Sequence, residues 1–251
     1  MLTKKLTASL YHFLISLLIV GAFLAFVKFY WYPGHLLAIS GVTSILLILV
    51  AIDITLGPLM TFVVYKPNKP KLKLDLSIIA ALQIAAFSYG MFTIYQGHPL
   101  YVVYAVNSFT VATANEIDPN DVSNKQLLKS KLAGPQIAFA KMPKDPKESA
   151  DILFGAFAGK PDIDKLPQYF EPYDKHLDDI FAKSIDLTKL LDKKDTKQEL
   201  EKFFSHNGDK GDFAYLPLVG KSKDVIWAFN KKTGKPAGII NIDPYQMAVN
   251  N

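Results

Sequence analysis

The sequence predicts a membrane protein with three transmembrane α-helices followed by an exported α+β domain with a small antiparallel sheet. Three long apolar stretches fill most of residues 1–97. Short β-branched and aromatic runs, separated by turn residues and amphipathic segments, fill residues 98–251. Half of the 251 residues are hydrophobic and 20% are charged, which excludes a disordered chain. We therefore expect a three-helix membrane anchor over 1–97 and an α+β domain over 98–251.

The three apolar stretches run from about residue 10 to 30, from 36 to 64 and from 76 to 95. Each reaches the ~20 helical residues that cross a hydrocarbon core. A cleavable signal peptide is another interpretation of the first stretch, but the aromatic cluster at 30–32 indicates an interfacial belt and an uncleaved anchor. The second stretch exceeds the core thickness, so we expect it to tilt or break.

Charge is distributed unevenly along the chain. Residues 1–97 contain seven Lys and two Asp, a net charge of +5, whereas residues 98–251 contain 21 Lys and 21 acidic residues. A basic excess confined to the apolar third is not the pattern of a nucleic-acid-binding protein. Lys4, Lys5 and the four lysines within 66–73 predict, by the positive-inside rule, a cytoplasmic N-terminus and a cytoplasmic second connection. Residues 98–251 then lie across the membrane, in the periplasm if the cell is bacterial.

The second predicted span contains an acidic residue, Asp53, which is costly in lipid and therefore a candidate functional residue. Gly57 and Thr61 follow at four-residue spacing and share its helix face, while Pro58 removes a backbone donor. The third span offers one amide, Gln83. Asp53 either pairs with Gln83 inside the bundle, contacts a transmembrane helix of another protein, or belongs to an ion relay.

The remaining residues predict alternating strands and helices. Strands are expected at 100–106, 109–114, 137–141, 213–219, 225–229 and 238–242, with Asn107-Ser108 as a hairpin turn. Helices are expected at about 121–132, 147–158, 172–191 and 196–204. We expect the helices to pack on one face of the sheet.

No residue pattern specifies an enzyme. The absence of cysteine excludes disulfides and thiolate metal sites, and no histidine has metal-ligand spacing. Asp162 and Asp164 form a D-x-D pair, which a glycosyltransferase uses to bind a metal, but a solvated acidic face is the simpler interpretation. The predicted cytoplasmic segments are too short for a signalling output domain. We expect no cofactor and no metal.

The most distinctive sequence segment begins at Asp53 and continues with Gly57-Pro58-Leu59-Met60-Thr61 and then Lys66-Pro67. Toward the other end, Leu216-Pro217-Leu218-Val219-Gly220 precedes Thr233-Gly234-Lys235-Pro236 and Ile242-Asp243-Pro244-Tyr245. Together these segments resemble the TfpX/TfpZ family of type IV pilin accessory proteins. The resemblance covers the membrane part and both edges of the exported domain.

The resemblance implies a non-enzymatic helper for the major type IV pilin in the inner membrane of a Gram-negative bacterium, working beside the pilus assembly machinery. Such pilins wait in the membrane lipid as one apolar helix with a charged amine. Asp53 would pair with that amine, Gly57 would let the helices approach, and Pro58, Thr61 and Gln83 would complete the site. The exported domain would contact the pilin head. The alternatives are an envelope enzyme acting on pilin or surface glycans, and a subunit of a transport complex.

Overall fold

The computed structural model describes residues 1–190 and 194–245, which divide into two compact units. We call residues 1–33 and 42–98 the helical unit, and residues 34–41 and 99–245 the sheet unit. The helices are α1 (Leu2–Phe26), α2 (Leu36–Ile39), α3 (Thr43–Val50), α4 (Gly57–Val64), α5 (Leu72–Gly97), α6 (Pro146–Phe157), α7 (Leu177–Phe181) and α8 (Lys194–Asn207). The strands are β1 (Pro99–Ala105), β2 (Ser108–Thr113), β3 (Gln136–Ala140), β4 (Phe170–Pro172), β5 (Phe213–Val219), β6 (Val225–Asn230) and β7 (Pro236–Ile240).

The helical unit consists of long apolar helices. Among the described residues, three helical stretches are long and apolar enough to cross a membrane: Leu2–Trp31, Thr43–Val64 and Leu72–Gly97. The first is α1 extended by the π-helical turn Val27–Trp31, and the second joins α3 to α4 through another, Ala51–Leu56. These helices, with the sheet that follows them, confirm the predicted fold class.

The second helical stretch begins at Thr43 and not at about residue 36. The hydroxyl of Ser40 donates a hydrogen bond to the carbonyl of Leu36 at 2.6 Å. Gly41 has a φ of +70°, and this left-handed conformation ends the helix. The apolar residues Leu36 and Ile39 are buried in the sheet unit, so their hydropathy reflects a protein core. The long apolar run is therefore broken, one of the two solutions expected for its length.

The aromatic cluster at the end of α1 is only partly exposed. Tyr30 is exposed, but Trp31 and Tyr32 are buried, and Trp31 stacks on His98 with ring centroids 4.7 Å apart. The tyrosine hydroxyl of Tyr32 lies 3.8 Å from an ideal Cβ at Gly97. These rings therefore fasten the end of α1 to the end of α5 inside the helical unit.

The sheet unit contains one seven-stranded sheet in the order β4-β3-β1-β2-β5-β6-β7. Four pairs are antiparallel, and two pairs, β1 with β3 and β2 with β5, are parallel. The sheet is thus larger than expected and mixed, although largely antiparallel. The difference arises because β3 and β5 join the two sides of the β1–β2 hairpin after long crossovers, which no local turn signal announces.

Two apolar clusters of described residues contribute to the core of the sheet unit. One contains Leu100, Tyr101 and Val103 of β1 with Phe170 of β4, and the other lies between α8 and strands β5 to β7. Every residue from Leu100 to Tyr104 is at most 2% exposed, as expected for a central strand covered on both faces.

Two helix predictions in the sheet unit are wrong. The helix expected over 172–191 is instead the 3₁₀ turn Tyr173–His176, α7 and the 3₁₀ turn Leu187–Leu190, while residue 191 lies outside the described residues. The backbone N–H of Ile185 donates to the carbonyl of Tyr215 in β5 at 2.7 Å. This N–H is therefore not used in a helical hydrogen bond, and the helix does not continue through residue 185. The helix expected over 121–132 is replaced by separate 3₁₀ turns, because Asp118 and Asn124 each cap one of them.

Residues 34–41 are part of the sheet unit although they lie between two candidate spans in the sequence. The N–H of Ser222 donates to the carbonyl of Ile39 at 2.9 Å. A Cβ on Gly220 would lie 2.6 Å from that carbonyl oxygen, so only glycine allows this approach. The connection between the first two spans therefore packs against the β5–β6 turn.

Candidate functional site

Asp53 lies in the π-helical turn Ala51–Leu56 that joins α3 to α4. Pro58 follows within the first turn of α4 and has no N–H to offer the preceding turn. A π-helical turn accommodates such a break inside an otherwise continuous helix, and these turns are frequent at functional sites. The side chain of Asp53 faces the interior of the helical unit and is only 5% exposed.

Gln83 of α5 is the hydrogen-bond partner of Asp53. Its Nε2 donates to the backbone carbonyl of Asp53 at 3.2 Å and, at 3.4 Å, to the carboxylate Oδ1. Two oxygens of the pair, Oδ2 of Asp53 and Oε1 of Gln83, are buried without a hydrogen-bond partner in the described part of the chain. A buried carboxylate oxygen without a donor is costly, so the pair retains an unused capacity to accept hydrogen bonds.

Gly57 provides the space for the Gln83 side chain. A Cβ on Gly57 would lie 2.0 Å from Nε2 and 2.5 Å from Cδ of Gln83. Gly57 is buried, and its missing side chain lets the amide pass to Asp53 one helical turn away. Three of the five predicted site residues, Asp53, Gly57 and Gln83, therefore form one cluster.

The other two predicted residues, Pro58 and Thr61, contact α1. The carbonyl of Pro58 accepts from the hydroxyl of Ser9 at 2.8 Å, and Oγ1 of Thr61 lies 2.6 Å from Nδ1 of His12. Ser9 and His12 were not predictable from the sequence, because a stripe of residues on one helix does not identify the polar partners on its neighbour. Pro58 and Thr61 thus hold α4 against α1.

A cleft of about 240 Å³ opens beside this cluster between α1 and α5. Its polar lining includes Asp53, Gln83 and His12, and its rim carries the exposed side chains of Ile15, Ile19 and Ile84. A mostly apolar cleft whose lining includes a carboxylate fits an apolar chain that carries a hydrogen-bond donor or a cation. It offers little to a polar soluble substrate.

Acidic residues of the sheet unit, including the D-x-D pair, serve local structure. Asp162 accepts from the N–H of Ile163 at 2.6 Å, and Asp164 accepts from the hydroxyl of Thr110 at 2.7 Å. Glu171 pairs with both Lys141, at 3.0 Å, and His176, at 2.6 Å. Within residues 1–190 and 194–245, no three His, Cys, Asp or Glu side chains are grouped closely enough to hold a metal ion.

The fold and the cleft define a membrane protein with a buried intramembrane carboxylate and a seven-stranded mixed sheet. No family model and no solved structure matches the chain. The chain is similar to three fimbrial assembly proteins of Dichelobacter nodosus. That of serogroup I is 28% identical over 247 residues, or 94% of each chain. That of serogroup E1 is 28% identical over 193 residues, or 75% of this chain and 74% of the relative.

The protein of serogroups C1 and C2 is 35% identical over 109 residues, which cover 42% of this chain and 82% of the relative. The chain belongs to the family of these fimbrial assembly proteins.

Proposed function

We propose that the protein is a non-enzymatic accessory factor of type IV pilus assembly, of the TfpX/TfpZ kind, that binds the major pilin within the membrane. Membership of the fimbrial assembly family supports the assembly role. The cleft beside Asp53 supports the binding mode.

The buried Oδ2 of Asp53 carries the proposal. It has no hydrogen-bond partner in the described residues, yet it belongs to a side chain that lines the cleft between α1 and α5. A single apolar helix with an amine would satisfy this oxygen while its aliphatic side chains pack on Ile15, Ile19 and Ile84. Because an intramembrane charge is stabilised mainly by pairing, Asp53 and the amine would each gain from the contact.

We further propose that the protein lies in the inner membrane of a Gram-negative bacterium, with the N-terminus in the cytoplasm and the sheet unit in the periplasm. Lysines flank the N-terminus and the connection at 65–71, and none lies within 32–42. The packing of residues 34–41 within the sheet unit supports this topology, because three spans place that connection and the chain after α5 on the same side.

Replacement of Asp53 by asparagine tests the proposal. Asp53→Asn keeps the size of the side chain and its contact with Gln83 but removes the negative charge. We expect the major pilin recovered with the tagged protein from native membranes in mild detergent to fall about tenfold, the effect of losing ~1.4 kcal/mol. Surface piliation should fall with it.

Asp75→Asn is the matched control, because Asp75 pairs with Lys69 at 2.8 Å near the start of α5 and does not line the cleft. We expect this variant to recover pilin as the wild type does. Equal pilin recovery with Asp53→Asn and the wild type, at equal protein levels, would contradict pairing through Asp53.

A further inference from the structure

A second cleft, of about 500 Å³, lies entirely within the sheet unit. It is bounded by the edge strand β7, by one face of α8 and by His35. This volume lies in the ~300–1,000 Å³ range of small-molecule pockets. The cleft shares no lining residue with the one beside Asp53.

Side chains that carry nitrogen dominate the polar lining of this cleft. The lining includes two ammonium groups, two imidazoles and two carboxamides: Lys202, Lys223, His35, His206, Asn207 and Asn241. The lining contains a single carboxylate, that of Glu199, which makes no ion pair in the described part of the chain. The cleft therefore has an excess of positive charge.

Neither lysine forms an ion pair with an acid in the described part of the chain. The ammonium of Lys223 donates to Oδ1 of Asn241 at 2.7 Å, a neutral acceptor. The ammonium of Lys202 makes no hydrogen bond or ion pair within residues 1–190 and 194–245, and its side chain is exposed. An anion in the cleft would meet two cations, and the one internal acceptor described for them, the amide oxygen of Asn241, is neutral.

The histidines are oriented by their surroundings. Nδ1 of His206 lies 2.9 Å from both the carbonyl of Lys202 and the hydroxyl of Ser205, so Nδ1 is engaged within α8 and Nε2 is the ring nitrogen left for a ligand. A Cβ on Gly238 would come within 3.9 Å of Nε2 of His35 and 3.3 Å of Phe203. The bare backbone of β7 therefore gives the ring of Phe203 room against the strand, while His35 lies beside it at an ordinary contact distance.

We infer that this cleft binds a phosphate-bearing anion. Phosphate offers several acceptor oxygens to converging donors, which suits two ammonium groups and two carboxamides better than it suits one carboxylate. Residues 32–42 connect two candidate spans, so His35 belongs to a segment at the membrane surface, where phospholipid headgroups are available. Soluble phosphate carries the same chemistry.

The test uses the full-length protein and two probes. Inorganic phosphate is titrated into the detergent-solubilised protein by calorimetry. In parallel, the protein is reconstituted in nanodiscs of phosphatidylglycerol and phosphatidylcholine, and native mass spectrometry counts the phosphatidylglycerol retained. Lys202→Gln with Lys223→Gln removes the two cations. Lys232→Gln with Lys235→Gln is the control, because both lysines are exposed in the turn before β7 and the net charge changes equally.

We call the double variant at Lys202 and Lys223 the cleft pair, and the double variant at Lys232 and Lys235 the control pair. We expect the wild type and the control pair to bind, and the cleft pair to lose at least tenfold in affinity or in retained lipid. Phosphate binding that the cleft pair loses supports the site with a soluble source. Selective phosphatidylglycerol retention that the cleft pair loses, without phosphate binding, supports the site with a headgroup source. Binding of neither probe by the wild type, or equal losses in both pairs, overturns the inference. His35→Gln provides an independent variant, and unchanged binding in it and in the cleft pair also overturns the inference.

Discussion

Gln83 occupies the space that a side chain at position 57 would need. An ideal Cβ on Gly57 would lie 2.0 Å from Nε2 of Gln83, well inside any contact distance. The same Nε2 donates to Asp53. The glycine and the hydrogen bond between two helices are therefore one structural feature, and a change at position 57 acts on Asp53 through Gln83.

Gly57→Ala should displace Gln83 from Asp53. We expect the helical unit to lose about 1–3 kcal/mol of stability, the usual cost of overpacking a filled site. Pilin recovery should fall as it does for Asp53→Asn. The thermal midpoint in detergent and the pull-down from native membranes measure the two effects.

Gly21→Ala is the control for this change, because nothing lies within 4 Å of a Cβ at Gly21 in α1. Alanine there should leave the thermal midpoint and the pilin recovery near wild-type values. Similar losses in both variants would mean that any added methyl group disturbs the helices, and would remove the special role of position 57.

Thr61→Val should loosen the contact between α4 and α1. It removes the hydroxyl 2.6 Å from Nδ1 of His12 and keeps the shape of the side chain. Hydrogen bonds between membrane helices contribute about 0.6 kcal/mol on average, with a maximum of about 1.7 kcal/mol. We expect a loss of about 1 kcal/mol, since Thr61 is buried, measured as a lower thermal midpoint in detergent.

The matched control is Thr93→Val, because among the described residues the hydroxyl of Thr93 bonds to the carbonyl of Tyr89 in its own helix and to no other helix. That variant should change stability by much less. If Thr93→Val proves as costly as Thr61→Val, the bond to His12 contributes nothing specific.

Glu116→Gln should make the stability of the sheet unit less dependent on pH in the acidic range. Burial raises the pKa of Glu116, but hydrogen bonds from Lys165 and Thr113 outweigh burial, so the pKa lies below its ordinary value of 4.5. A depressed carboxyl pKa contributes stability above about pH 4.5 that is lost as the pH falls through the folded-state pKa. We expect this contribution to the free energy of unfolding to be about 1 kcal/mol, because the ion pair of Glu116 with Lys165 is partly exposed.

Pulse proteolysis in urea between pH 3 and 7 measures this effect on the sheet unit. The wild type should lose more stability than Glu116→Gln as the pH falls below 4.5. Glu201→Gln is the control, since Glu201 is exposed and makes no side-chain contact with a cation among the described residues. Parallel curves for wild type and Glu116→Gln would refute the prediction.

Gly234→Ala should destabilise the turn between β6 and β7. Gly234 has a φ of +68°, and a Cβ there would lie 2.4 Å from Cδ1 of Leu177. Gly159→Ala shares the positive φ, at +80°, but has nothing within 4 Å of its Cβ. We expect both variants to lose stability from backbone strain, and Gly234→Ala to lose about 1–3 kcal/mol more from the clash. Equal urea midpoints for the two variants would contradict this.

The sequence predicts the elements whose signals are local. The β1–β2 hairpin was expected from Asn107-Ser108, and β5 from its apolar run, because strand patterns and turn residues act over a few positions. The parallel pairs β1–β3 and β2–β5 depend on packing between distant segments. The helix expected over 172–191 failed for the same reason, since the bond from Ile185 to Tyr215 competes with helical hydrogen bonding.

The candidate site was predictable in part. An intramembrane acid is visible in any sequence, and its contact with Gln83 was one of the open interpretations that the structure contains. The contact between Thr61 and His12 was not predictable, because it requires the rotation of α1 against α4. The gathering of His35 with His206 likewise requires the tertiary fold, since the two lie in different predicted domains.

The bond from Ser222 to the connection at 34–41 sets an order of events during synthesis. The hydroxyl of Ser222 and its acceptor, the carbonyl of Ala38, are 184 positions apart in the chain. At ~5–20 residues per second, the ribosome needs about 10–40 s to make the intervening segment. The buried Ile39 therefore lacks its partner until residue 222 has been synthesised. Nascent chains that stop before the β5–β6 turn would leave this apolar segment without the contact that Ser222 makes to it.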